Sequence, residues 1–198
     1  VGADLPYSQY SVDGNVDAAV EMIEHSVNTA NLIYLRDAGI IHHLGRIIIR
    51  ADAAQDPYAG MASLNALLNQ IKYEWNVVLP LLLPASEHDI ALVATSAVGG
   101  GLANVGVVAN PGYSTNGSSA RGDFSIVWRH EGGHNWSIGH SDGGAPEGAT
   151  INSGNTLSRM SGLEQANAVS HRNSRSSSLD NLGSHGFAIP PRASLDRS

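Results

Sequence analysis

The stretch His130-Glu131-Gly132-Gly133-His134-Asn135-Trp136-Ser137-Ile138-Gly139-His140 decides how this chain is read. On a helix, His130 and His134 lie one turn apart on the same face, so both imidazoles reach a single ion. Glu131 points roughly 100° away around the axis, near enough to serve a water molecule on the metal without ligating the metal itself. For His140 to join the same ion, the helix must stop soon after His134. A continuing helix would carry residue 140 about 9 Å further along the axis. Some residue between Asn135 and Gly139 therefore leaves helical geometry, and Ser137 and Gly139 are the two candidates. Three neutral nitrogens, an open fourth position and a neighbouring carboxylate are what zinc-assisted hydrolysis needs.

Working outward from the motif, the preceding segment carries Phe124, Val127 and Trp128 into it, with Asp123 as a helix N-cap. The same cap accounts for Arg121-Gly122-Asp123 without invoking an adhesion motif. Gly132 and Gly133 cost about 1 kcal/mol each in a helix interior, so burial must hold this helix. Their missing side chains let another element approach closely.

Two more helices follow from periodicity. Val16, Val20, Ile23, Val27, Ala30 and Tyr34 form one apolar stripe, with Asp17 and Glu21 early, as the helix dipole prefers. Leu64, Leu67, Leu68, Ile71, Trp75 and Val78 form a second, capped by Ser63 and ending before Pro80. Residues 46–50 and 89–94 are mostly apolar runs, expected as strands covered on both faces. After Gly99-Gly100-Gly101, residues 102–109 suit an edge strand, and Asn116-Gly117 a turn. A shorter helix is expected over 163–171. From Arg172 onward, serine, arginine and proline accumulate, which suits a surface-wrapped tail or linker over 172–198 after a single domain over 1–171.

Composition narrows the classes. The chain has 198 residues, 42% apolar and 15% charged, enough for one packed core. With 11 basic against 18 acidic residues, a net charge of −7 argues against nucleic acid as a partner. No apolar run is long enough for a membrane span. Cysteine is absent, which removes disulfides, thiolate ligands and a thiol nucleophile together. The chain opens at Val1 directly into ordered-looking sequence, as expected of a processed or excised piece. His42, His43, His88, His171 and His185 lack ligand spacing and are expected as ordinary surface histidines. Asn116-Gly117-Ser118 is a glycosylation sequon and equally a turn.

The three-histidine string resembles the metzincin signature His-Glu-x-x-His-x-x-Gly-x-x-His, with Ser137 at the glycine position. Pro57-Tyr58, the helix through Trp75, His88-Asp89-Ile90-Ala91-Leu92 and Gly101-Leu102-Ala103 occur in the order of the adamalysin (reprolysin) branch. The similarity covers most of residues 5–171. Two features depart from that branch. Ser141 and then Asp142 stand where an aspartate usually follows the third histidine, and disulfides are missing, as in a bacterial-type relative. The resemblance implies an α/β zincin domain: a mixed twisted sheet with an edge substrate-binding strand, long helices and a zinc-binding active-site helix. It implies one catalytic Zn²⁺ on His130, His134 and His140, with Glu131 as general base. A peptide or protein substrate would lie against Gly101, Leu102 and Ala103. It also implies a secreted or extracellular protein. For the methionine-containing turn beneath the zinc, two registers compete, one using Met160 and the other, preferred here, placing Asn152 at the methionine position. The expected activity is zinc endopeptidase. The alternatives are a catalytically impaired protein-binding module on the same scaffold and a zinc hydrolase of a non-peptide amide. Oligomeric state is left open.

Overall fold

A computed structural model of the chain describes residues 1–83, 88–110, 115–119 (backbone only), 124–141, 149–153 and 158–183. Five strands form one sheet: β1 (Gly2–Leu5), β2 (Arg46–Ile49), β3 (Ala91–Thr95), β4 (Gly101–Ala103) and β5 (Thr115–Ser119). Their order is β2-β1-β3-β5-β4, parallel throughout except for β4, which runs antiparallel to β5 at the edge. The helices are α1 (Tyr7–Asp13), α2 (Val16–Ala38), α3 (Leu64–Tyr73), α4 (Leu79–Leu82), α5 (Phe124–Asn135) and α6 (Gly162–Ser174).

Side-chain alternation along β3 divides the core. Leu92 and Ala94 face a cluster built from Ile23, Val27, Ala30 and Tyr34 of α2 together with Phe124 and Trp128 of α5. Ala91 and Val93 face Leu67 and Ile71 of α3, with Trp75 and Tyr58. The period of two on the strand and of 3.6 on each helix are thus both satisfied. Ile23, Val27, Ala30 and Tyr34 of the first stripe and Leu67, Leu68, Ile71 and Trp75 of the second are buried as their spacing requires, whereas Val16, at the exposed start of α2, is not. Asn15 caps α2 through Ala18 N–H, and Ser63 caps α3 through Ala66 N–H.

Several expectations are corrected. The second helix does not stop before Pro80; a π turn over Glu74–Val78 leads into α4, which carries Pro80 in its first turn. The wider turn relieves the clash between a proline ring and the carbonyl four residues back. β2 is a half-buried edge strand, whereas β3 is buried throughout. Asn116-Gly117 is not a turn; both residues lie in β5, between β3 and β4. The edge strand is short: the N–H groups of Gly106 and Val107 donate to the carbonyls of His134 and Asn135, at 2.8 and 3.0 Å. They cap the end of α5 and so cannot extend a strand. The last helix starts at Gly162 and reaches Ser174, past the expected end at 171. Periodicity did not reveal β1 and α1, although Pro6 and the left-handed Gly14 bracket α1. Asp123, the Arg121-Gly122-Asp123 tripeptide, Asp142 and His185 lie outside the described residues.

His42 is no surface residue. It is 6% exposed, its Nε2 accepts from Trp136 Nε1–H at 2.8 Å, and its Nδ1 faces Asn31 Oδ1 at 3.0 Å. His88 stacks edge-on against Trp75, and His171 packs edge-on against Trp136. His43 is exposed, as expected.

Candidate metal centre

Helix α5 brings His130 and His134 to one face, and the turn after Asn135 brings back His140. Ser137 carries the bend at φ 72°, in the left-handed region, whereas Gly139 has no positive φ. Ile138 N–H reaches back to Gly133 O and Ser137 N–H to His134 O, both at 2.9 Å. This is a Schellman closure, with Ile138 fully buried behind it.

The result is a cluster of three imidazoles whose donor atoms lie within 4.8 Å of one another. His140 Nε2 is 3.2 Å from His130 Nε2 and 3.1 Å from His134 Nε2. A tetrahedral zinc with bonds of roughly 2.0–2.1 Å holds its nitrogens about 3.3–3.4 Å apart, so both separations from His140 are close to what that ion requires. Hydrogen bonding fixes the tautomers: His130 Nδ1–H donates to Ile151 O at 2.9 Å and His134 Nδ1–H to Ile138 O at 2.7 Å. Both Nε2 atoms are thereby left with lone pairs aimed at the cluster. Burial, followed by the neighbouring His134, pulls His130 down to about 4. Burial lowers His134 as well. Both rings are therefore neutral at neutral pH, as ligands must be.

Glu131 lies outside the donor cluster among the described residues. It is 5% exposed, and burial pushes its carboxyl up to about 7, close to the ideal for a general base at neutral pH. With His134, Gly139 and His140 it lines a cleft of about 270 Å³ whose other wall is Gly101, Leu102, Ala103 and Val105. The contact between the walls is close. A Cβ on Gly101 would overlap the Glu131 carboxylate, so glycine is what allows β4 to pass over that side chain.

Beneath the histidines sits Asn152, fully buried, with Nδ2–H donating to His130 O at 3.1 Å. A Cβ on Gly133 would overlap Asn152 Oδ1, which explains one of the two helix glycines. Met160 packs in the main core, its N–H bonded to Asp37. The turn under the site is therefore built on Asn152. Glu164 is a buried carboxylate that the motif spacing does not point to. Its signal was available: Ser161 and Glu164 form a capping box at the start of α6.

The model of the reprolysin-like metallo-peptidase family M12B matches residues 20–141, more than half of the 198 residues. No curated protein matches. Among solved structures, metalloproteinase-II from Bacteroides fragilis superposes with a TM-score of 0.59 at 13% identity, over 86% of this chain and 51% of that one. A structure described as a chaperone-substrate complex superposes with a TM-score of 0.60 at 18% identity, over 86% of this chain and 34% of that one. At such identities the likeness speaks for the fold, and this chain spans between a third and about half of those two proteins. On the family match, and with the His130–His134–His140 cluster on a metalloprotease fold, this chain belongs to the reprolysin-like metallopeptidases of family M12B.

Proposed function

We propose that the protein is a zinc-dependent endopeptidase with His130, His134 and His140 as ligands and Glu131 as general base. The observation that carries this reading is the convergence of three Nε2 atoms beside a buried carboxylate, in a cleft walled by an edge strand. A zinc ion held by those nitrogens supplies a Lewis acid that acidifies water and polarises a carbonyl. Glu131 takes the proton from the attacking water as the new C–O bond forms. It then delivers that proton to the amide nitrogen as the C–N bond breaks, so no covalent enzyme intermediate is needed. Among the described residues β4 pairs with β5 alone, at the edge of the sheet, and its residues Gly101, Leu102 and Ala103 line the cleft. An extended peptide adding there would present its carbonyls to the histidines, with affinity coming from main-chain bonds.

The binding-module alternative draws on Ser137 at the glycine position of the metzincin signature and Asn152 at the methionine position of the turn. Ser137 nonetheless makes the turn that returns His140, and Glu131 is present, which favours the catalytic reading. Zinc analysis combined with hydrolysis of a broad peptide library tests the proposal. The expected result is about one zinc per chain and cleavage that stops on chelation and returns with zinc. A zinc-loaded protein that binds peptides without cutting them supports the module instead. Cleavage restricted to non-peptide amides supports the other hydrolase.

A further inference from the structure

Behind the three histidines lies a second polar layer that the hydrolytic chemistry does not use. Its root is Glu164, 3% exposed, near the start of α6. Both carboxylate oxygens act as acceptors: Oε1 takes Thr150 Oγ1–H at 2.7 Å and Asn152 N–H at 3.3 Å, and Oε2 takes Ser161 N–H at 2.7 Å. The Asn152 N–H belongs to the same peptide unit as the Ile151 carbonyl. That carbonyl is the one accepting His130 Nδ1–H, at 2.9 Å. Glu164 and the His130 ring are therefore joined through a single peptide group.

The peptide group is conjugated, so a negative charge drawing on its N–H increases electron density on its oxygen. A stronger acceptor at Nδ1–H makes the opposite ring nitrogen a better donor, as outer carboxylates do for metal-ligating histidines. The same turn holds the site at two further points. Asn152 Nδ2–H donates to His130 O at 3.1 Å, and Asn152 O accepts Ser141 N–H, directly after His140, at 3.0 Å. Ser141 Oγ also meets Thr150 Oγ1 at 2.9 Å, so both ends of the histidine motif lean on the turn that Glu164 fixes.

We propose that Glu164 is a positioning residue for the metal site: its carboxylate, acting through the Ile151–Asn152 peptide, orients His130 and strengthens its nitrogen as a zinc ligand. The proposal rests on the zinc reading above. It is distinct from the helix-capping role of Glu164, which uses Ser161 and involves no contact with the turn.

Zinc affinity measured by competition with a chromophoric chelator at pH 7 separates the two roles. Glu164→Gln keeps the size and removes the charge, and should bind zinc about tenfold to a hundredfold more weakly. Ser161→Ala removes the capping hydroxyl and leaves the carboxylate; it should melt at a lower temperature and bind zinc as the unmodified protein does. Wild-type affinity in Glu164→Gln, or equal weakening in both variants, overturns the proposal. A second measurement needs no variant and serves even if Glu164→Gln does not fold. In the unmodified protein, zinc loading should move the Asn152 amide proton downfield, because coupling through the peptide is reciprocal. An amide resonance that stays in place overturns the relay. An unmodified protein that takes up no zinc sinks the zinc reading and the relay with it, whereas normal zinc uptake with indifferent variants sinks the relay alone.

Discussion

Ser137 is the residue on which the candidate metal site turns. Serine at φ 72° is less favourable than glycine by about 1 kcal/mol, because its Cβ crowds the backbone in the left-handed region. Ser137→Gly should therefore leave zinc binding intact and raise stability by up to about 1 kcal/mol. Ser137→Val, with a branched Cβ in the same conformation, should lower both. Gly139 has no positive φ, and a methyl group added there would meet no atom of the described residues within 4 Å, so Gly139→Ala should be close to neutral. Urea unfolding and zinc titration of the three variants check this, and a sensitive Gly139 with a tolerant Ser137 would contradict it. Spacing alone required a bend between Asn135 and Gly139 and could not place it, since serine and glycine both enter the left-handed region. The choice is made by the bond from Ile138 N–H to Gly133 O, a pairing that only the folded chain displays.

At the scale of elements, the packing of β4 on α5 positions Glu131, the proposed base. Gly101→Ala would drive a methyl group into the Glu131 carboxylate. The expected outcome is a fall in kcat of at least about tenfold with zinc content unchanged, because the histidines are untouched and the proton acceptor is displaced. Unaltered turnover in Gly101→Ala would show that Glu131 does not need this position. Elements with a strong apolar period were legible from sequence: α2 and α3 from their stripes, β3 from its apolar run. β5 was not, because Thr115-Asn116-Gly117-Ser118-Ser119 has no apolar residue and is held by main-chain pairing on both edges. Residues 106–108 were read as strand because they are small and branched. Their N–H groups instead satisfy the end of α5, a tertiary demand that no local pattern records. Of the candidate site, the grouping of the three histidines with Glu131 and the Gly101-Leu102-Ala103 wall was legible, whereas the Glu164 layer depends on a contact between a turn and a distant helix.

At the scale of the whole molecule, the histidines tie stability to pH. Burial strips water from His42 and holds it at about 3. A base depressed in the fold is protonated first in the unfolded chain, so protons favour unfolding. The contribution of neutral His42 is complete above about pH 6.5 and declines as pH falls towards 3, by roughly 1.4 kcal/mol per pH unit. His130 and His134 are lowered too and act in the same direction. In the metal-free protein, the stability deficit of His42→Gln relative to the unmodified chain should shrink from pH 7 to pH 5. A constant deficit would contradict the account. Zinc should add stability on top, since a ligand bound only by the fold shifts the unfolding equilibrium, and chelation should lower the melting temperature. The central claim joins metal and carboxylate in one reaction, and one comparison tests it most directly: kcat/KM for peptide hydrolysis, with zinc content, in the unmodified protein and in Glu131→Gln. Equal zinc is expected in both, with a loss of about 10²–10⁴-fold or more in the variant. Undiminished hydrolysis by zinc-loaded Glu131→Gln would contradict it.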